Sequence, residues 1–343
     1  TPYYPGADDS VYPYKVVRFP SIDTTKLVGY RAGFPFSAET LEEIRAQNID
    51  LIHTHCPITS TFLARTLRDT IDAPMVLTYH TKFDIDIANA IRSKLLQKSA
   101  IKALVENISA SDEVWAVSRG AGENLRSIGY TGDYVVMENG VDIPKGRVPE
   151  EAVAAAAAGY DLPKGVPVFL FVGRMVWYKG LRCILEALAE LAAKGRDFRM
   201  VFIGGGTDKD GAEALAKQLG IGERCIFTGA IYDRDTIRAW YCRGDLFLFP
   251  SEFDTNGLVV REAAACGLGS MLIEGSCAAE GIEDGETGFL IKNSSADMAA
   301  KLLELLSHPE IMRTVGENAM NRIYISWEDS VKHAAERYQV VLD

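Results

Sequence analysis

No stretch of this 343-residue sequence stays apolar for the roughly 20 residues that a bilayer-spanning helix needs, and the opening residues TPYYPGADDS lack the basic and apolar regions of a signal peptide. The expected location is therefore the cytoplasm. Positive charge is also scarce: 36 Lys and Arg stand against 47 Asp and Glu, a formal net charge of -11. Affinity for a nucleic-acid backbone comes largely from clustered cations that neutralise phosphates, so no nucleic-acid partner is expected. The six cysteines, Cys56, Cys183, Cys225, Cys242, Cys266 and Cys277, show no Cys-x-x-Cys pairing and lie far apart, as reduced thiols of a cytosolic protein do. What remains is an ordinary globular composition, 48% hydrophobic and 24% charged, in a chain long enough for two domains.

Short apolar or β-branched runs alternate with longer stretches of helical period. DLIHTHC, PMVLTYH and EVWAVS are separated by helical segments, one of them a long helix near 87–109; after YVVMENGVDIP and an Ala-rich stretch the same pattern restarts with VFLFVGR, FRMVFIGGG, CIFTGAI, LFLFPSE, SMLIEG and GFLI. Such alternation implies crossover units and parallel sheets, hence an α/β chain with two doubly wound domains. The expected division is 1–142, 143–325, and a C-terminal helix 326–343 that returns to the first domain. In open α/β sheets ligands bind beyond the carboxyl ends of the strands, so the loops after these runs carry the candidate chemistry.

Gly173 to Gly180, GRMVWYKG, follows a buried-type strand and precedes a helix. Arg174 and Lys179 thereby share space with free backbone N–H groups and the positive end of a helix dipole, a setting suited to a diphosphate; the same pair reads equally as two solvated charges beside a tight turn. PSEFDTNGLVVREAAACG places Asp254 in a loop and Glu262 inside the following helix. Carboxylate oxygens only accept, which suits sugar or ribose hydroxyls; the alternative makes Asp254 an N-cap and Glu262 a surface charge. His53 and His55 point to one face of a strand and are candidate cleft-lining side chains, but no third ligand at a supporting spacing is present and no metal is expected. For His53 a plain core role fits at least as well. Gly204, Gly205 and Gly206 read as a tight strand-to-loop turn, without the spacing of a dinucleotide fingerprint.

Together the Gly-Arg-x-x-x-x-Lys-Gly run, the carboxylate eight residues before Glu262, the segment Asn139-Gly140-Val141-Asp142 and GSCAAEGIEDGETGFLI resemble the retaining glycosyltransferases of the large group 1 (family 4) type over nearly the whole chain. The resemblance implies the GT-B type of fold, two Rossmann-like domains facing across a cleft. It implies that Arg174 and Lys179 hold the donor diphosphate, that Asp254 binds donor-sugar hydroxyls and Glu262 the ribose, and that N–H groups from Asn256, Gly257, Leu258 and Val259 contact sugar and phosphate. His80 matches the family histidine beside the donor sugar, so His80, Asp254, Arg174 and Lys179 are the expected residues of the reacting centre. His55 and Lys82 would line the cleft, and Asn139 to Asp142 would be the hinge.

Two departures stand out. The strand, Gly-rich loop, helix and second strand that usually open the family's first domain are missing before TPYYPGADDS, so the first domain is expected to be incomplete; and Asp254 stands where many members carry Glu. The expected activity is retaining, metal-independent transfer of a hexosyl group, most simply glucose from a UDP-linked donor, to a lipid or saccharide, with no cofactor beyond the nucleotide-sugar substrate. A nucleotide-sugar epimerase, a phosphorylase or a silent binding module on the same fold are the alternatives. Arg92, Lys94, Lys98 and Lys102 face only Glu106, beside a stripe of Ile87, Ile91, Leu95, Ile101, Leu104 and Ile108. This 87–107 segment is expected either to make peripheral contact with the inner face of a membrane or to be a solvated face over a normal core stripe.

Overall fold

The runs VFLFV, RMVFI, LFLF and SMLI show no polar alternation, the pattern of strands buried on both faces. In the computed structural model of the chain, which describes residues 1–25, 31–34 and 36–343, they form the middle of a parallel sheet. Two units make up the chain: Thr1–Met137 with His333–Asp343, and Glu138–Lys332.

In the first unit, β1 (Ser21–Ile22) and β2 (Ala32–Gly33) form a small antiparallel pair. The main sheet runs in the order β3 (Ile52–Thr54), β4 (Met75–Tyr79), β5 (Glu113–Ala116), β6 (Val135–Val136), all parallel. In the second unit the strands are β7 (Val168–Val172), β8 (Arg199–Ile203), β9 (Cys225–Gly229), β10 (Leu246–Phe249), β11 (Ser270–Ile273) and β12 (Phe289–Ile291). Their order, β12-β11-β10-β7-β8-β9, is doubly wound, with β7 and β10 adjacent at its centre. The order reverses there, and the carboxyl ends of β7 and β10 are where such a sheet opens a crevice. Phe169, Phe171, Phe202 and Phe247 are wholly buried between the helices.

The units divide at Met137/Glu138 and Lys332/His333, a few residues from the expected 142 and 326. The reason is a local weave. Val141 N donates to Ile325 O (3.0 Å), Trp327 N to Val141 O (3.3 Å) and Ser330 Oγ to Glu138 O (2.6 Å). Both segments that pass between the units are thereby fixed to the second unit before they leave it.

The expected single helix near 87–109 is two helices, Phe83–Ala90 and Lys94–Ile108. Ile91 is extended, and Gln97 Nε2 reaches back to its freed carbonyl at 2.6 Å, satisfying the group that the break exposes. The apolar stripe breaks with it: Leu104 and Ile108 are buried, whereas Leu95 is 74% exposed.

Candidate active site

The second unit gathers four of the candidate side chains at the ends of β7 and β10. After β7 the chain turns through Trp177–Lys179 to Gly180, whose φ of 83° starts the helix Leu181–Ala193. A Cβ on Gly180 would stand 2.2 Å from Pro250 O, so only glycine lets this turn touch the loop that follows β10. That contact brings Lys179 to Asp254. Lys179 Nζ donates to Asp254 Oδ2 at 2.5 Å, with both side chains about five-sixths buried (15% and 16% exposed).

Asp254 builds its own loop as well. Its Oδ1 accepts the N–H groups of Thr255 (2.9 Å), Asn256 (3.2 Å) and Gly257 (2.7 Å). Burial alone would push this carboxyl upward; Lys179 and the N–H donors outweigh it and hold the group below its ordinary range. The loop ends at Gly257, the cap of helix Leu258–Ala265, and among the described residues the N–H groups of Leu258 and Val259 have no acceptor. This narrows the expected run of backbone donors. Asn256 and Gly257 give their N–H groups to Asp254, and those of the two residues after them stay open.

Glu262, one turn further along, accepts from Tyr241 Oη (2.8 Å, to Oε2) and Arg234 Nη2 (3.0 Å, to Oε1). Burial, then the neighbouring carboxylate, keep Tyr241 protonated far above its usual range, so it acts as a fixed donor. Arg174 is exposed and donates to Tyr178 Oη (2.7 Å). Gly204 belongs to the same end of the sheet: a Cβ there would lie 1.9 Å from Gly173 O, so the turn after β8 packs directly on the Arg174 loop.

In the first unit the histidines cluster at the ends of β3 and β4. His53 and His55, two residues apart on β3 and its extension, pack with ring centroids 4.2 Å apart and planes tilted by 35°. His55 Nδ1 lies 2.9 Å from His80 Nε2, and His53 Nε2 lies 2.7 Å from Thr78 Oγ1. Burial, then the neighbouring imidazoles, hold His53 down to about 3 and His80 to about 4, so both rings are neutral at pH 7. No group of three or more metal-ligating side chains occurs among the described residues. Lys82 stands half-buried at the start of helix Phe83–Ala90, where its carbonyl accepts from Ile85 N at 3.2 Å.

This geometry meets two family models end to end: that described as Glycosyl transferases group 1 matches residues 155–322, and that described as Glycosyltransferase Family 4 matches residues 1–145. The chain belongs to the group 1 glycosyltransferases. The enzyme is 28% identical over 328 residues to a D-inositol 3-phosphate glycosyltransferase of Nocardia farcinica, covering 90% of this chain and 71% of that one. It is 29% identical to the sulfoquinovosyl transferase SQD2 of Arabidopsis thaliana, covering 82% and 55%. With an alpha-monoglucosyldiacylglycerol synthase of Streptococcus pneumoniae it shares 23% identity, covering 74% and 58%. The chain thus spans between 55% and 71% of the length of these relatives. Two solved structures share the fold: a sucrose-phosphate synthase from Thermosynechococcus elongatus (TM-score 0.73, 21% identity, 94% and 88% covered) and the HepE protein of Anabaena in complex with UDP-glucose (TM-score 0.76, 17% identity, 94% and 85% covered).

Arg174, Lys179, Asp254 and Glu262 of this glycosyltransferase lie in one unit and His55, His80 and Lys82 in the other. Reading the sequence missed Arg234, Tyr241 and Tyr178. Tyr178 stands inside the Gly173–Gly180 run without a distinguishing signal of its own, whereas Arg234 and Tyr241 meet Glu262 only through the fold, 28 and 21 residues away in sequence. His53, left between core and cleft, is half-buried and bonded at both ring nitrogens.

Proposed function

We propose that this glycosyltransferase transfers a hexosyl group, glucose from UDP-glucose, with retention and without a metal, to a lipid or saccharide acceptor. The observation that carries the reading is the Lys179–Asp254 pair beside the open N–H groups of Leu258 and Val259. A Lys ammonium has three donors and Asp254 takes one, so two remain for a diphosphate beside the positive end of a helix. Charge building on the leaving diphosphate would meet Lys179, Arg174 and that helix end, the fixed electrostatics that a metal supplies elsewhere. Glu262, oriented by Tyr241, would accept from ribose hydroxyls. His80, neutral at pH 7, would hydrogen-bond the donor sugar without adding positive charge. The Anabaena structure with UDP-glucose and the relatives named for lipid and inositol phosphate acceptors support the donor and acceptor classes.

Incubation of the purified protein with UDP-glucose and candidate acceptors, with and without EDTA, tests this reading. The expected product is an α-glucoside formed at the same rate under both conditions. A β-linked product, or loss of activity that added divalent cation restores, would sink the retaining or the metal-free part of the proposal. The exposed Leu95 and Leu96 among Lys94, Lys98 and Lys102 support peripheral membrane contact. Sedimentation with anionic but not with neutral vesicles is the expected result, and equal negligible binding to both removes that part.

A further inference from the structure

Residues His333–Asp343 close the chain yet belong to the first unit, and two of them are bound there by buried partners. Arg337 Nε donates to both oxygens of Glu113 at 2.8 and 3.0 Å, and its Nη2 adds a third contact. Burial would raise the Glu113 carboxyl, but Arg337 and the indole N–H of Trp115 outweigh that and keep it charged. Trp115, only 1% exposed, stacks on Tyr338 with ring centroids 5.1 Å apart and 23° between planes. Tyr338 Oη is hydrogen-bonded to His53 Nδ1.

We propose that Tyr338 is a positioning residue for His80, acting through His53 and His55. A neutral imidazole carries one proton. With Tyr338 donating to Nδ1, the proton of His53 sits on Nε2 and goes to Thr78 Oγ1, 2.7 Å away. The ring is then pinned at both nitrogens, and both anchors are held: Thr78 is buried in β4, while Tyr338 stacks on Trp115 and follows Arg337, which is paired with Glu113. Against this ring rests His55, at 4.2 Å between centroids, and His55 Nδ1 holds His80 Nε2 at 2.9 Å. Fixing His80 Nε2 in this way leaves its Nδ1 to face a ligand. The C-terminal helix thereby orients a side chain at the far end of β4 without touching substrate itself.

The proposal rests on the reading of His80 as a residue beside the donor sugar, and the test separates the two. Tyr338→Phe keeps the ring on Trp115 and removes only the hydroxyl. Its kcat with UDP-glucose should fall about fivefold to tenfold, the effect of one lost orienting hydrogen bond, while donor KM stays within about twofold. In ¹⁵N spectra of histidine-labelled protein, the single His53 tautomer of the parent should become a mixture. Thr78→Val, which removes the other anchor, should reproduce both changes. A parental kcat in Tyr338→Phe, or a lower kcat with His53 spectra unchanged, overturns the role of Tyr338 provided that His80→Ala is impaired. If His80→Ala itself turns over like the parent, the reading of His80 falls and this proposal with it.

Discussion

The two clusters of candidate residues differ in how they handle charge. In the second unit each ionised group has a fixed polar partner: Lys179 with Asp254, Glu262 with Arg234 and Tyr241, Arg174 with Tyr178. In the first unit, beside Lys82, the candidate side chains are imidazoles that burial keeps neutral, bound to hydroxyls and to one another. A diphosphate carries charge and needs held cations, whereas a sugar presents hydroxyls and is met by groups that hydrogen-bond without charge. The difference gives each unit its own chemistry, and each half can be broken separately.

The largest effect is expected at Lys179. Lys179→Ala removes the cation proposed to meet the diphosphate and leaves the mostly buried Asp254 carboxylate without its ion pair. kcat/KM for the sugar donor should fall by about 10²- to 10³-fold, with weaker binding of the free nucleotide diphosphate as well. Asp254→Asn keeps the shape, and one amide oxygen can still accept the loop N–H groups. Its donor kcat/KM should fall by less, roughly tenfold for charge-assisted bonds of about 1.5 kcal/mol, and nucleotide diphosphate affinity should hold. Calorimetry with the diphosphate beside steady-state kinetics reads both. Parental turnover in Asp254→Asn would leave Asp254 a loop cap and remove it from the sugar site.

The fold was largely legible, because each parallel strand is a short apolar run and each crossover a helical period. The apolar runs within VFLFVGR, PMVLTYH and LFLFPSE need no tertiary context to be placed. Arg174, Lys179, Asp254 and Glu262 were legible for a related reason: each follows a strand whose end the topology aims at the crevice. What could not be read is whatever depends on a distant partner. Tyr338 lies 285 residues from His53, and Arg261 lies 123 from Glu138. The break after Ala90 was hidden because Gln97, an ordinary helix residue, is what stabilises it by capping Ile91. The double role of Asp254 was masked too, since one carboxylate that caps a loop and pairs with a lysine has the same sequence as one that does either.

Acid should separate the units next. His53 and His80 are held near 3 and near 4, below the ordinary 6.5, so the unfolded chain binds protons between about pH 6.5 and pH 4 that the folded chain refuses. Stability from these rings is complete above pH 6.5 and declines as pH falls through that window. Asp254 behaves alike at lower pH: its folded value lies below the ordinary 3.8, so its contribution survives to about that pH and is lost beneath it. Hydrogen exchange at pH 7, 5.5 and 4.5 should therefore show β3 and β4 opening before β7 and β10, and His53→Gln should flatten the difference. Parallel loss in both units would contradict the assignment of neutral and charged clusters.

The smallest effect concerns Arg261, which tests whether the charged site is tied to the places where the chain leaves its unit. Arg261 sits beside Glu262 on helix Leu258–Ala265 with only 9% of its side chain exposed. Its Nη1 donates to Ile323 O at 3.0 Å and its Nη2 to Glu138, so one guanidinium holds this helix to the segments beside both crossings. Arg261→Met fills similar volume, and Glu138, with 45% of its side chain exposed, can turn to water, so no buried charge is stranded. The cost to stability should be modest, about 1–2 kcal/mol from two lost hydrogen bonds. A helix no longer anchored at Arg261 should let Glu262 wander, raising donor KM about twofold to fivefold with kcat nearly unchanged, the signature of lost binding common to ground and transition state. Glu138→Gln, which keeps a hydrogen bond to Arg261, should show a smaller shift in the same direction. If Arg261→Met is destabilised yet keeps the parental donor KM, the residue merely packs the helix, and the donor site is independent of the crossings.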